Sequence, residues 1–269
     1  FTDFSKEAIG VDTKKGMNVD WGDFDNDGLF DVFVTNITDE YMKEGNFLWK
    51  NLGDLRFADV ARETGTWATG WGWAGKFFDY DNDGWLDLYV VNGWVSQSPD
   101  PKDNYVLDIF KVIVDPKIDL ADARNWPPMG NKTLSGFQRK SLFHNQGGTF
   151  KDEAKRHGVD TIEDARGIGV GGFDIDGGME MFVTNSGKAP YLWRNVQPTS
   201  NHWLQIQLTG ARSNRDAIGA RVQARVGDRS LITFVNGGNG FASQSTHRVH
   251  FGLGQATRID HLEVTWPSG

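Results

Sequence analysis

The sequence predicts an all-β fold of many short strands joined by tight turns. Glycine makes up 33 and tryptophan 11 of the 269 residues, and helical periodicity is sparse. Short runs of β-branched and aromatic residues, such as 32–35 and 88–91, follow acidic turns that contain glycine. Together these observations are typical of a β-rich chain that reverses often.

The first element is a nine-residue acidic loop that occurs twice. Residues 23–31 and 79–87 both read D-x-D-N-D-G-x-x-D, and a predicted strand follows each loop. Four carboxylates this close repel one another unless a cation neutralises them, and calcium accepts six to eight oxygen ligands in flexible geometry. An acidic surface turn without an ion is the alternative, but turn chemistry needs only one Asp or Asn. The loops therefore predict a Ca²⁺ cofactor.

Each loop predicts its ligands by position. Positions 1, 3, 5 and 9 supply aspartate side chains, and position 7 supplies a backbone carbonyl. The predicted metal ligands are Asp23, Asp25, Asp27, Leu29 and Asp31 in the first loop, and Asp79, Asp81, Asp83, Trp85 and Asp87 in the second. The pattern differs from an EF-hand, whose loop ends in a glutamate at position 12 and lies between helices.

A third acidic loop, residues 174–180, departs from this pattern. Aligned on the Val-Thr-Asn that follows it, the loop is two residues shorter and its last candidate ligand is a glutamate. Its candidate metal ligands are Asp174, Asp176 and Glu180. Two interpretations stay open: a degenerate loop without an ion, and a third calcium site.

The loops belong to a repeat of about 50 residues. L-[WF]-x-N-x-G and then F-x-[DE]-x-A occur at 48–61 and again at 142–154, and a third copy begins at Tyr191. Four short strands in each unit predict a β-propeller blade. Residues 1–11 match the last strand of a unit, like 57–65, so we expect the chain to begin in mid-blade. Either upstream blades or partner chains would then complete the ring, and we favour upstream blades.

The pattern changes near residue 199. We expect propeller blades over 1–198, with an insertion at 94–140, and a separate β-rich domain over 199–269. The second region reads S-N-R-D-A-I-G-A at 213–220 and H-F-G-L-G at 250–254. These motifs resemble the ASPIC/UnbV domain of the cartilage-acidic-protein family, and the upstream repeats resemble the FG-GAP/VCBS repeats that precede that domain there. The resemblance implies a calcium-binding propeller in an exported protein, with adhesion or protein binding as its usual role.

Composition excludes several classes of function. The net charge is −8, and the eight aspartates of the two full loops account for all of it. Without a run of Lys and Arg, a nucleic-acid partner is not expected. No apolar stretch reaches 18 residues, so no membrane span is expected. The absence of cysteine excludes disulfides and thiolate catalysis.

The predicted function is a calcium-binding, non-enzymatic binding or scaffold protein that is extracellular, at the cell surface or periplasmic. The alternative is a carbohydrate-active propeller enzyme, a lyase or hydrolase, with its site in the ring mouth or under the insertion. We expect a protein or glycan partner at the cell surface, bound through the insertion or the C-terminal domain. The insertion places Tyr105, Ile109, Phe110 and Trp126 on a segment that the blade does not need.

Overall fold

The chain folds as an all-β protein with few helices, as the sequence predicts. The computed structural model describes residues 1–197 and 199–269. In chain order the strands are β1 Asn18–Gly22, β2 Asp31–Thr35, β3 Thr38–Asp39, β4 Met42–Lys43, β5 Phe47–Asn51, β6 Phe57–Asp59, β7 Gly72–Phe78, β8 Asp87–Asn92, β9 Ser141–Asn145, β10 Phe150–Asp152, β11 Ala165–Gly171, β12 Glu180–Asn185, β13 Tyr191–Trp193, β14 His202–Ile206, β15 Arg221–Val226, β16 Arg229–Phe234, β17 Val249–Gly254 and β18 His261–Thr265. The helices are α1 Ser5–Ala8, α2 Ala61–Thr64, α3 Tyr105–Ile113 and α4 Ala154–His157. Within these described ranges, no helix is long and apolar enough to cross a membrane.

The repeats form propeller-like blades. The first blade is the antiparallel sheet β1-β2-β5-β6, and the second is β7-β8-β9-β10. The third sheet, β11-β12-β13, repeats the first three strands, and no fourth strand joins it among the described residues. The first strands β1, β7 and β11 lie next to one another, so they form the inner edge of the stacked blades.

The core lies in layers between successive blades. Phe33, Leu48 and Leu88 are fully buried in the layer between the first and second blades. Tyr89 and Ile168 are fully buried in the layer between the second and third. A strand buried on both faces can be apolar along its whole length, which explains the continuous apolar run in β8.

The insertion leaves the second blade between β8 and β9. The first turn of helix α3 is capped by the Asn104 side chain, which accepts a hydrogen bond from Val106 N (3.0 Å). Of the four insertion residues named from the sequence, Phe110 and Trp126 are exposed, whereas Tyr105 and Ile109 are half-buried. The Tyr105 hydroxyl donates to the Pro127 carbonyl.

The N-terminal segment corrects one expectation. The helical turn α1 matches α2 of the repeat, but residues 1–4 form no strand. Their counterpart β6 is a strand because β5 pairs with it. Among the described residues no strand pairs with residues 1–4, and a lone strand has no ladder to stabilise it.

The C-terminal region forms two small sheets, β16-β15-β18 and β14-β17, around its own core of Val222, Ala224 and Leu231. Residues 213–218 form a turn, in which the Asn214 side chain bonds both the N–H and the carbonyl of Ile218. The polar S-N-R-D run is therefore part of a turn that the Asn214 side chain closes.

A loop from this region, residues 236–246, docks on the inner edge of the blades; we call it the docking loop. Asn239 Nδ2 donates to Asp20 Oδ1 (2.6 Å), and Phe241 N donates to Asn18 Oδ1 (2.8 Å). The Phe241 ring also packs edge-on against Trp73, with ring centroids 5.0 Å apart. The docking loop therefore fixes the C-terminal region to the first strands of the blades.

Candidate metal centres in the blade loops

The first acidic loop connects β1 to β2 at their last pair, Gly22 and Asp31. Asp23 accepts backbone hydrogen bonds from Asp27 (3.0 Å) and Gly28 (2.9 Å), and both its carboxylate and that of Asp31 are buried. Gly28 has φ +89°, a conformation that favours glycine. One carboxylate oxygen from each of Asp23, Asp25 and Asp27 lies within 4.8 Å of the others.

The second loop, between β7 and β8, repeats the backbone hydrogen bonds to the first and last aspartates. Asp79 accepts from Asp83 N (3.2 Å) and Gly84 N (2.8 Å), and Asp87 accepts from Tyr80 N (3.1 Å) as Asp31 accepts from Phe24 N. The three carboxylates that come within 4.8 Å here are those of Asp79, Asp81 and Asp87.

Leu29 and Trp85, the residues predicted to offer carbonyl ligands, make equivalent backbone hydrogen bonds in the two loops. Leu29 N donates to Asp27 Oδ1 (2.9 Å), and Trp85 N donates to Asp83 Oδ1 (2.8 Å). Both residues therefore lie at the same turn of their loops.

Packing carboxylates this closely has an electrostatic consequence. Burial, and secondarily the neighbouring carboxylates, raise the pKa of Asp23 and of Asp31 to about 7. Burial raises the pKa of Asp79 and of Asp87 well above the usual range, and the two groups repel each other. Buried carboxylates of this kind favour a proton unless a cation is present to balance them.

The donor set fits a hard divalent cation. The sets Asp23, Asp25, Asp27 and Asp79, Asp81, Asp87 offer only carboxylate oxygens, which suit calcium or magnesium better than softer metals. A further set at the second loop adds the His144 imidazole to Asp81 and Asp83. Asp25 Oδ1 is buried and has no hydrogen-bond partner among the described residues, so this oxygen is available to bind a cation.

The third loop differs, as its short sequence suggests. Asp174, Asp176 and Glu180 also converge within 4.8 Å, but only Glu180 is buried. Glu180 takes the role of position 9, because its carboxylate accepts from Phe173 N (2.8 Å). The pKa of Asp176 is lowered, chiefly by the hydrogen bond from Gly178 N, whereas burial raises the pKa of Glu180. The third loop therefore buries one carboxylate, where each full loop buries two.

Sequence reasoning missed a basic residue at each loop. Lys50, His144 and Arg194 each precede the asparagine of the L-[WF]-x-N pattern. Lys50 pairs with Asp25 and Asp27, His144 Nε2 lies 3.4 Å from Asp81 Oδ2, and Arg194 Nε lies 3.1 Å from Asp174 Oδ2. The shared basic character at this repeat position was the signal that could have found them. A cation in a loop would share its carboxylates with this residue.

The asparagine of the same pattern ties neighbouring blades together. Asn145 Nδ2 donates to the Phe24 carbonyl of the first loop (2.7 Å), and Asn195 Nδ2 donates to the Tyr80 carbonyl of the second (2.7 Å). Each loop is thus held by the blade that follows it.

The second loop also contacts the C-terminal region. His250 Nε2 lies 2.6 Å from Asn82 Oδ1, and Arg229 donates to the Asp83 carbonyl (2.8 Å). Burial lowers the pKa of His250 to about 4, so this histidine is neutral at physiological pH. Its polar partner is thus the Asn82 side chain of the second loop.

Comparison with known families accounts for both regions. Residues 23–90, which span both full loops, match the FG-GAP-like repeat, and residues 210–269 match the family described as ASPIC and UnbV. The chain combines an FG-GAP-like repeat with an ASPIC and UnbV domain. These matches confirm the resemblance stated from the sequence, and the docking loop belongs to the ASPIC and UnbV domain.

One curated relative aligns with nearly all of this FG-GAP and ASPIC/UnbV chain. Cartilage acidic protein 1 of Mus musculus is 25% identical over 304 aligned positions, which cover 99% of the chain. The chain spans 44% of that relative's length.

Proposed function

We propose that the protein is a calcium-stabilised, non-enzymatic binding or scaffold module that works outside the cytoplasm. One observation carries the calcium assignment: two loops, 56 positions apart in the sequence, hold four aspartates each in the same hydrogen-bonded geometry. Their burial and mutual repulsion are relieved by a divalent cation held by Asp23, Asp25, Asp27 and Asp31, and by the matching set in the second loop. Bound there, the ion neutralises the loop and holds its turn.

The same chemistry supports a location outside the cytoplasm. Calcium loops of extracellular modules have dissociation constants of about 10⁻⁴ to 10⁻³ M, well above the calcium level of cytosol. A loop that depends on such an ion for charge balance suits a compartment rich in calcium. The likeness to cartilage acidic protein 1, which covers 99% of the chain, supports the same assignment.

Counting bound ions tests the calcium proposal. We expect isothermal titration of the chain with Ca²⁺ to show one ion for each full loop. Asp25→Asn and Asp81→Asn should each remove one of these ions, because each replaces a ligand oxygen charge without removing a buried anchor. Asp228→Asn, at an exposed turn, is the matched control and should leave the count unchanged. Unchanged binding in both loop variants would contradict the proposal.

Partner binding is proposed at the insertion, for a protein or glycan at the cell surface. Along α3 and just beyond it, Leu107, Phe110, Ile113 and Val114 are exposed at 54%, 46%, 48% and 71%. Leu120 and Trp126 add to the same segment. Exposed apolar side chains in such a group usually mark an interaction surface.

A double variant, Leu107→Ser with Phe110→Ser, should weaken capture of partners from an extracellular protein and glycan extract by tenfold or more. Melting with and without calcium should not change, because neither side chain belongs to a core cluster. Leu55→Ser, a change of the same kind at a blade turn exposed at 66%, is the control. Equal capture by the unmodified chain, the double variant and the control would show that the insertion does not bind the partner. Turnover of a polysaccharide by the purified protein would favour the enzyme instead.

A further inference from the structure

The second acidic loop is held by hydrogen bonds from the C-terminal region. Three consecutive backbone carbonyls of this loop, at residues 81–83, accept bonds from that region. The Asp81 carbonyl accepts from Thr199 Oγ1 (3.0 Å) and from Asn201 Nδ2 (3.0 Å). The next two carbonyls accept from Gly254 N (2.8 Å) and from the Arg229 guanidinium (2.8 Å). The turn that presents two of the predicted ligands is therefore fixed by residues outside its own blade.

The first acidic loop lacks this support among the described residues. The carbonyls of Asp25, Asn26 and Asp27 accept no hydrogen bond from the C-terminal region. That region reaches the first loop through the exposed side chain of Arg221, at 3.4 Å from the Gly28 carbonyl. The two loops thus share a sequence pattern but differ in how firmly their backbones are held.

Strand β17 lies directly against the second loop. A Cβ atom at Gly252 would be 2.0 Å from Asp79 Oδ2 and 2.6 Å from Asn82 Cα, so this close approach requires glycine. His250 contacts the side chain of Asn82, which is buried, whereas Asn26 at the same position of the first loop is half-buried. The C-terminal region therefore contacts both the turn and a predicted ligand carboxylate of the second site.

We propose, on the basis of the calcium sites of the proposed function, that Thr199 and Asn201 are positioning residues for the second ion site. This site then binds calcium more tightly than the first. A loop whose backbone is already held loses less conformational freedom when an ion binds, and such pre-organisation raises affinity. The first loop has to order more of its own turn when its ion binds.

Neutral donors give the clearest test of this positioning. Arg229 also holds the loop, but its positive charge opposes a bound cation, so removing it combines two opposite effects. Thr199 and Asn201 are uncharged, and both bond the same carbonyl. Their loss weakens the support of the loop without changing the net charge around it.

Calcium titration of single-loop variants measures each site separately. Asp25→Asn leaves the second loop as the intact full site, and Asp81→Asn leaves the first. An ion at the third loop would be common to both variants. We expect the Asp25→Asn chain to bind its ion about threefold or more tightly than the Asp81→Asn chain. Adding Thr199→Val with Asn201→Ala should weaken the second site by about tenfold, because two hydrogen bonds to one carbonyl are lost, and should leave the first site unchanged.

Two further variants separate positioning from general damage to the C-terminal region. Thr199→Ser, which keeps the hydroxyl donor, should leave the affinity of the second site unchanged in the Asp25→Asn chain. Thr257→Val, at an exposed position of the same region, is the matched control for Thr199→Val and should also have no effect on that affinity.

Hydrogen exchange at one amide provides a measurement that needs no change at the two donors. Coupling is reciprocal, so an ion in the second loop should hold the C-terminal region more firmly. Gly254 N donates to the Asn82 carbonyl of this loop. Calcium should therefore slow exchange at Gly254 by about fivefold or more in the Asp25→Asn chain and leave it unchanged in the Asp81→Asn chain. Val235 N, which bonds within the C-terminal region, is the control amide.

The outcomes distinguish this inference from the calcium proposal itself. Equal affinity of the two sites, or an equal loss at both when the donors are removed, would overturn the positioning role and leave calcium binding intact. Exchange at Gly254 that responds alike in the two single-loop variants would overturn it as well. Absence of calcium binding in the unmodified chain would instead reject the calcium proposal, and the positioning role with it.

Discussion

Removing calcium should lower the melting temperature of this protein by about 10 °C or more. A ligand at 100 times its dissociation constant stabilises the folded state by about 2.7 kcal/mol per site. Each kcal/mol shifts the melting temperature of a chain of this size by about 2–4 °C, so two occupied loops give an effect of this order. Thermal melting followed by circular dichroism, with calcium and with EGTA, measures it.

Magnesium and a loop variant serve as controls for this experiment. Mg²⁺ should restore little of the stability, because it prefers an octahedral shell and keeps its waters. The Asp25→Asn, Asp81→Asn double variant should melt alike with calcium and with EGTA. Superimposable melting curves for the unmodified chain in the two buffers would rule out calcium as a folding ligand.

Without calcium, the protein should lose stability as the pH rises from about 4 to about 7. Asp23 and Asp31 have a pKa of about 7 in the folded chain, against 3.8 ordinarily. The folded state therefore holds protons that the unfolded state has released, and their stabilising effect, complete below the ordinary pKa, disappears as the pH passes the raised value. Each such group changes the free energy of unfolding by up to about 1.4 kcal/mol per pH unit in this window.

Calcium should remove this dependence, because the ion takes the place of the protons. Urea unfolding at pH 5, 6, 7 and 8 in EGTA, and again in calcium, measures both slopes. The gain from calcium should be largest at pH 8 and smallest at pH 5. Asp228→Asn, outside the loops, should follow the unmodified chain, and a stability in EGTA that rises with pH would contradict the expected charge state of the loops.

The repeat pattern predicted the blades because it encodes local requirements. The D-x-D-N-D-G-x-x-D run must form a turn, bind a cation and lead into a strand. The glycine, the aspartates and the β-branched and aromatic residues that follow them reflect these three requirements. Asn104 meets a local requirement of the same kind, because its side chain caps the first turn of α3.

Contacts between distant segments could not be found in this way. The bond from Asn239 to Asp20 joins residues 219 positions apart, and neither residue type indicates the other. The missing strand at residues 1–4 has a similar cause, since strand formation depends on a partner and not only on the F-x-D sequence. An intermediate case is the basic residue at each loop, Lys50, His144 or Arg194. Its repeated position is visible in the sequence, but its contact with the loop carboxylates is seen only in the structure.

The docking loop bears on how freely the two halves of the molecule can turn. Asp20 is completely buried, and its carboxylate is matched by Lys76 (3.2 Å), by Phe77 N (2.8 Å) and by Asn239. A swivelled C-terminal domain would take Asn239 away and leave a charged group short of a partner, which costs more than a lost apolar contact. Rotation of the C-terminal domain away from this position is therefore unfavourable. The domain is held in one orientation, and its outer face keeps a fixed direction relative to both acidic loops.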